Sequence, residues 1–190
     1  MRLFLRGLVL LAVLLQASPV FGDSSRGLGA WFGTAGHDFS ALQLDGTEYR
    51  YTSQGKAIQM DYRAPLNPFI TAAGLLILTI EDAQEETAVR PPMDQVSLTQ
   101  FGGEIRFWWN AFYVGGQYSL LSQGLYYLND PVPVSSGGSA LSLIAGLEIQ
   151  KGWGIMAQFI QGQLEDDQKT RYDISGYRLM LGYHFGADQR

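Results

Sequence analysis

The chain has 190 residues, enough for one domain, and no cysteine, which removes disulfides, thiol catalysis, cysteine-ligated zinc and a lipobox anchor. A net charge of −5 leaves no basic surface to neutralise phosphates and argues against nucleic-acid binding. Charged residues make up 16% of the chain against the usual ~25%, while glycine (23 residues) and aromatics (13%) are abundant, a composition that suits a β-protein whose outer surface does not face water.

Residues 1–22 read as a separate object. Arg2 and Arg6 precede the apolar run "GLVLLAVLL", too short to span a bilayer, and "QASPVFG" supplies a polar exit with small residues. The pattern predicts a secretory signal cut after Gly22; the alternative is an N-terminal anchor helix. Residues 23–190 would then form one β-barrel domain with a net charge of −7, Arg2 and Arg6 being lost.

No later segment reaches the ~18 consecutive apolar residues of a transmembrane helix. Apolar and polar residues instead alternate with period two, the sign of a strand with two different faces. In chain order, strands are predicted at about 27–36, 57–64, 69–80, 95–108, 111–121, 140–150, 152–163 and 172–185. Three connections are short, "PLNP", "WN" and "KG". They alternate with long polar ones at 37–56, 81–94, 122–139 and 164–171. An even number of strands with short turns at one end and long loops at the other is the layout of an eight-stranded antiparallel up-and-down transmembrane barrel.

Alternation alone does not separate inside from outside, since a soluble barrel of the lipocalin kind puts its apolar row inward. The charges favour the membrane. Asp61, Arg63, Glu104, Arg106, Glu148 and Arg178 all lie on rows opposite the apolar ones, and an arginine facing lipid near the midplane costs roughly 2–4 kcal/mol. Aromatics gather near the short-turn end, with Phe107, Trp109, Phe112 and Trp153 as the expected girdle at the lipid headgroups and Tyr118 and Phe159 higher. The inward rows carry Gly102, Gly115, Gly146, Gly154, Gly176 and Gly182, which are expected to make room for long charged side chains in a narrow interior.

The closing segment "LGYHFG", Leu181 to Gly186, resembles the last strand of the OmpA-type and OmpX-type small outer-membrane barrels, which ends on an aromatic, any residue, then Phe. The resemblance spans the mature chain in layout and about ten residues in motif. It implies a bacterial outer-membrane location and makes Tyr183 and Phe185 the signal read by the barrel-assembly machinery. The tail "GADQR" departs from members that end at the Phe; OmpA-type chains continue past it.

The six lumen charges must pair in a dry interior. They form either a static plug or, as the resemblance to OmpA-type barrels implies, a switchable gate. In "HDFS", His37, Asp38 and Ser40 have the residue types of a lipid hydrolase, but neighbours in an extended chain point opposite ways, and a polar loop histidine is expected. His184 is expected to point inward. Glu81, Asp82, Glu85 and Glu86, and Glu165, Asp166 and Asp167, read as solvated charge runs without the offsets of an EF-hand. "VPVSSGGS" (132–139) reads as a flexible loop tip. No cofactor or metal site is called for. The expected partners are outer-membrane lipids and lipopolysaccharide, for a monomer. The expected role is structural, in envelope integrity or surface interaction through long loops. The rivals are a narrow solute channel and a lipid-modifying enzyme.

Overall fold

The computed structural model describes residues 26–42, 48–85, 93–127, 134–149, 152–167 and 169–185. The predicted signal, residues 1–22, and the tail after Phe185 lie outside these. Eight strands close into a barrel in sequence order: β1 Gly27–Leu42, β2 Glu48–Asn67, β3 Ile70–Glu85, β4 Met93–Trp109, β5 Phe112–Tyr127, β6 Val134–Glu148, β7 Trp153–Asp166 and β8 Arg171–Phe185. Each neighbouring pair is antiparallel, and β8 seals against β1 from Leu28↔Phe185 to Leu42↔Arg171. No helix among the described residues is long and apolar enough to cross a membrane, which has no bearing on strands.

The described turns fall at 68–69 and 110–111, and β6 and β7 are joined between Ile149 and Gly152. Asn110 takes a φ of 56° and Gly152 a φ of 83°, left-handed conformations that an asparagine tolerates and a glycine adopts freely. A Cβ on Gly152 would also stand 2.6 Å from the His184 carbonyl oxygen.

At the opposite end β1, β2, β3, β5 and β6 run well past the predicted limits, whereas β4 and β8 begin at Met93 and Arg171, close to the predicted 95 and 172. Of the predicted loops, 37–42, 48–56, 81–85, 93–94, 122–127, 134–139, 164–166 and 171 are strand, and the peptide "VPVSSGGS" belongs to β6 from Val134 onward. The described strand ends there are separated by 43–47, 86–92, 128–133 and 167–170.

The reason lies in the side chains. Near the turns, the outward row is apolar and exposed, as with Phe101, Ile105, Phe107 and Trp109 on β4 and Tyr177, Leu179, Leu181 and Phe185 on β8. Further along every strand the outward row becomes polar. The change falls at Gly36/Asp38, Ile58/Lys56, Ile80/Asp82, Phe101/Thr99, Leu120/Ser122, Leu141/Ser139, Phe159/Gln161 and Tyr177/Ser175. Tyr177 pairs with both Gly36 and Phe159, and Phe101 with Leu120; elsewhere the change is offset from the paired position, Gly36 pairing with Gln54 and Ile80 with Ser97, the stagger that tilted strands need to ring a closed barrel at one level. Below the level, stretches such as 70–80, 101–109 and 177–185 give the about nine to eleven residues that a tilted strand needs to cross a bilayer. Above it the wall is a collar with a polar outside and an apolar inside: Phe39, Tyr51, Val96, Leu98, Leu121, Ile160, Leu164 and Ile174 pack together there. The soluble-barrel alternative fails on this orientation, because below the level the charged rows are the buried ones.

The inward glycines serve rings more than charges. A Cβ on Gly182 would meet the Trp31 ring at 2.3 Å and the Ala30 carbonyl oxygen at 2.7 Å; Gly154 also abuts Trp31, Gly146 abuts Tyr113 and Gly176 abuts His37. Gly182→Ala is therefore expected to lower the unfolding free energy by about 1–3 kcal/mol through overpacking. The outward Gly116, where a Cβ would meet no atom within 4 Å, should accept alanine without loss. Urea unfolding of the barrel in lipid vesicles compares the two.

Candidate functional site

The interior of the barrel is filled in three layers. Nearest the turns is an ionic layer built on β1, β2, β4, β5 and β6. Arg106 bridges two carboxylates, donating to Asp61 Oδ2 at 2.9 Å and pairing with Glu104 on its own strand. Arg63 donates to Glu148 Oε1 at 3.3 Å and lies 3.6 Å from Asp61 Oδ1. The Trp31 indole N–H donates to Asp61 Oδ2 at 2.9 Å.

Aromatic faces enclose the two cations. The Arg63 guanidinium sits 5.6 Å from the rings of both Trp31 and Trp108, and that of Arg106 lies 4.8 Å from Tyr113, within the range of cation–π attraction. Trp108 in turn donates to Thr71 Oγ1 at 2.9 Å. Asp61, Arg63, Glu104 and Arg106 are all buried. Burying two guanidinium groups is tolerable only where opposite charge surrounds them; here carboxylates and ring faces do most of that, since Arg63 Nε and Nη2 and Arg106 Nε and Nη1 make no hydrogen bond to the described residues.

The middle layer is made of amides around Arg178. Its Nη1 donates to Gln158 Oε1 at 3.0 Å and to Gln100 Oε1 at 3.3 Å, and its Nη2 lies 3.5 Å from His37 Nε2. Gln158 also bonds to Gln117. Five of the six predicted lumen charges thus meet in one network, and Arg178 stands apart from them, one layer higher.

Arg178 has a different acidic neighbour. His37 Nδ1 lies 2.6 Å from Glu81 Oε1, and Ser53 donates to the other oxygen of Glu81. This corrects two expectations. His37 is a buried lumen residue of β1 and not a loop histidine, and Glu81 is a buried partner and not part of a solvated run. Asp82 is exposed, as expected; the side chain of Glu85 and all of Glu86 lie outside the described residues. Asp38 faces outward, and Ser40 shares its row. Ser53 reaches the carboxylate of Glu81, not the imidazole of His37, so among the described residues this cluster sets no serine hydroxyl on a histidine nitrogen as hydrolysis requires. The link between His37 and Glu81, 44 residues apart, was readable only by carrying the alternation on: His37 shares parity with the inward Trp31 and Ala35, and Glu81 with the inward Ile77 and Thr79.

The remaining positions lie at the ends of the strands. His184 is fully buried at the turn end. Phe107, Trp109 and Trp153 are exposed at the turn end of the apolar rows and Phe112 is half-buried. Tyr183 makes edge contacts with Trp153 at 5.3 Å and with Phe185 at 4.9 Å. Glu165 and Arg171 form an exposed pair at 3.6 Å. Asp166 accepts from the Thr170 amide and the Tyr172 hydroxyl and so organises the β7–β8 turn. Among the described residues no group of three or more acidic or histidine side chains could hold a metal ion.

No protein-family model and no curated protein matches the chain. Solved structures do. Ail, the attachment invasion locus protein of Yersinia pestis, is 17% identical, with 84% of this chain and 99% of that chain covered and a TM-score of 0.53. The barrel resembles that of Ail. The structure of Ail in complex with the heparin analogue sucrose octasulfate gives 16% identity, 85% and 99% coverage and a TM-score of 0.54. Neisserial surface protein A is 13% identical, with 82% and 97% coverage and a TM-score of 0.49. At these identities the likeness to Ail is one of fold: a closed antiparallel barrel with the apolar belt of a transmembrane β-protein.

Proposed function

We propose that this chain is a closed, non-conducting barrel of the bacterial outer membrane that acts at the cell surface through its polar collar and the loops above it. The observation that carries the reading is the single level at which all eight outward rows change from apolar to polar. An apolar belt of this extent is intolerable in water and matched to hydrocarbon. The collar then stands in water, on the side where strands and loops can meet a partner. The fold likeness to an attachment invasion locus protein supports a surface-interaction role, and an envelope-integrity role uses the same geometry. On this reading residues 1–22 direct export, both termini lie in the periplasm, Tyr183 and Phe185 present the closing strand to the assembly machinery, and lipopolysaccharide surrounds a monomer.

The filled lumen supports a plug over a gate, because the ionic, amide and apolar layers follow one another along the axis. The test is fractionation with a heat-modifiability gel, followed by conductance in planar bilayers. The protein should remain in the outer-membrane pellet and migrate faster unboiled than boiled. It should give no current steps, either as it stands or with Glu104→Gln or Arg178→Gln. Steps from the unaltered protein would replace this reading with the channel. A change in lipid A mass on overexpression would replace it with the enzyme.

A further inference from the structure

The outer wall of the collar is not uniform. Across β2, β1, β8 and β7 it holds a groove of about 830 Å³ lined by two parallel rows of outward side chains. The lower row is Thr52, Asp38, Ser175 and Gln161, each paired in register with the next. The upper row is Arg50, Ser40, Asp173 and Gln163, in the same register. Along the lower row small hydroxyl residues alternate with longer ones, and Leu141 of β6 continues that row beyond Gln161; in the upper row Gln163 Nε2 donates to Asp173 Oδ1 at 2.9 Å. Immediately beneath, at the top of the apolar belt, Tyr177 and Phe159 stand side by side and half exposed.

The chemistry of this groove selects a kind of ligand. Two carboxylates and one guanidinium give it no excess positive charge, so it is not built to capture a phosphate or sulfate. Its carboxylate, amide and hydroxyl groups offer donors and acceptors at close spacing. An aromatic edge below them offers an apolar ring face to a partner that is polar on one side only. A sugar ring has both surfaces. The groove also opens sideways, just above the hydrocarbon, and not upward through the barrel mouth. The geometry points to the uncharged core sugars of a neighbouring outer-leaflet glycolipid as its occupant, seated on Tyr177 and Phe159 and hydrogen-bonded by Asp38, Gln161 and Asp173. This rests on the membrane reading above.

The full chain folded in phosphocholine-headgroup micelles is titrated with dephosphorylated, deacylated lipopolysaccharide core oligosaccharide while backbone amide resonances are followed. A heat-modifiability gel on the same sample reports whether the barrel has formed; an unfolded or soluble product there overturns the membrane reading itself. In the folded barrel, amide shifts should cluster on the facing segments of β1, β2, β7 and β8. Gln161→Ala and Asp173→Asn, both exposed and outside the core, should each weaken binding about tenfold, the effect of one or two lost hydrogen bonds. Ser122→Ala, on the far wall, should not change it. A folded barrel whose resonances do not move, which responds as strongly to inorganic phosphate or calcium alone, or whose binding survives both groove substitutions, overturns the glycan site and leaves the barrel reading intact.

Discussion

Arg106→Met is expected to destabilise the barrel by about 3–5 kcal/mol, the loss found when one partner is taken from a buried ion network. The substitution removes the cation that joins Asp61 to Glu104. Asp61 keeps Arg63 and the Trp31 N–H, so Glu104, a buried carboxylate whose ion-pair partner is Arg106, bears most of the loss. The effect belongs to the stranded charge and not to the missing attraction. Replacing Glu104 and Arg106 together by methionine should therefore recover most of the stability, since apolar replacement of a whole buried pair is often close to neutral. Urea unfolding in lipid vesicles measures both. A double substitution as damaging as Arg106→Met alone would show that packing around the guanidinium, not pairing, sets the stability of this layer.

Leu181→Arg is the second large effect, expected at roughly 2–4 kcal/mol. Leu181 lies at the middle of the 177–185 stretch, half exposed, with Phe32 and Ile155 as its cross-strand neighbours. An arginine there would hold its charge in hydrocarbon or drag water and headgroups inward. The penalty should fall with height along the same row. Ser175→Arg, just above the level where the outward row turns polar, should change stability by no more than ~1 kcal/mol. The two substitutions share a strand and a face and introduce the same side chain, so the cost of placing the guanidinium differs between them chiefly by depth. Equal penalties would mean that the belt does not face lipid.

The barrel was legible in the sequence because the rows below the belt's upper edge keep one parity. Phe101 to Phe107 on β4 and Tyr177 to Phe185 on β8 alternate as a lipid-facing row must, and the charges sit opposite. The collar was not legible by the same rule because the rule reverses there. Above the belt the outside is water and the inside is a small hydrophobic core. The apolar parity on β8 changes from Tyr177 and Leu179 outward to Tyr172 and Ile174 inward, and on β4 from Phe101 and Ile105 outward to Val96 and Leu98 inward. A reading that follows one apolar parity ends β1, β2, β3, β5 and β6 at the reversal and takes the remainder for loop, whereas the predicted β4, β7 and β8 continue past it. His37, Glu81 and Ser53 were lost at that boundary.

The chain contains no cysteine, so single cysteines can report directly which surface meets which solvent. Asp173→Cys and Leu181→Cys stand on the same outward row of β8, the first in the collar and the second in the belt. In outer-membrane preparations of the folded protein, a membrane-impermeant maleimide should label position 173 readily and position 181 almost not at all, while a lipid-soluble maleimide labels position 181. Equal labelling of both positions by the water-borne reagent would contradict a barrel wrapped in hydrocarbon below its collar.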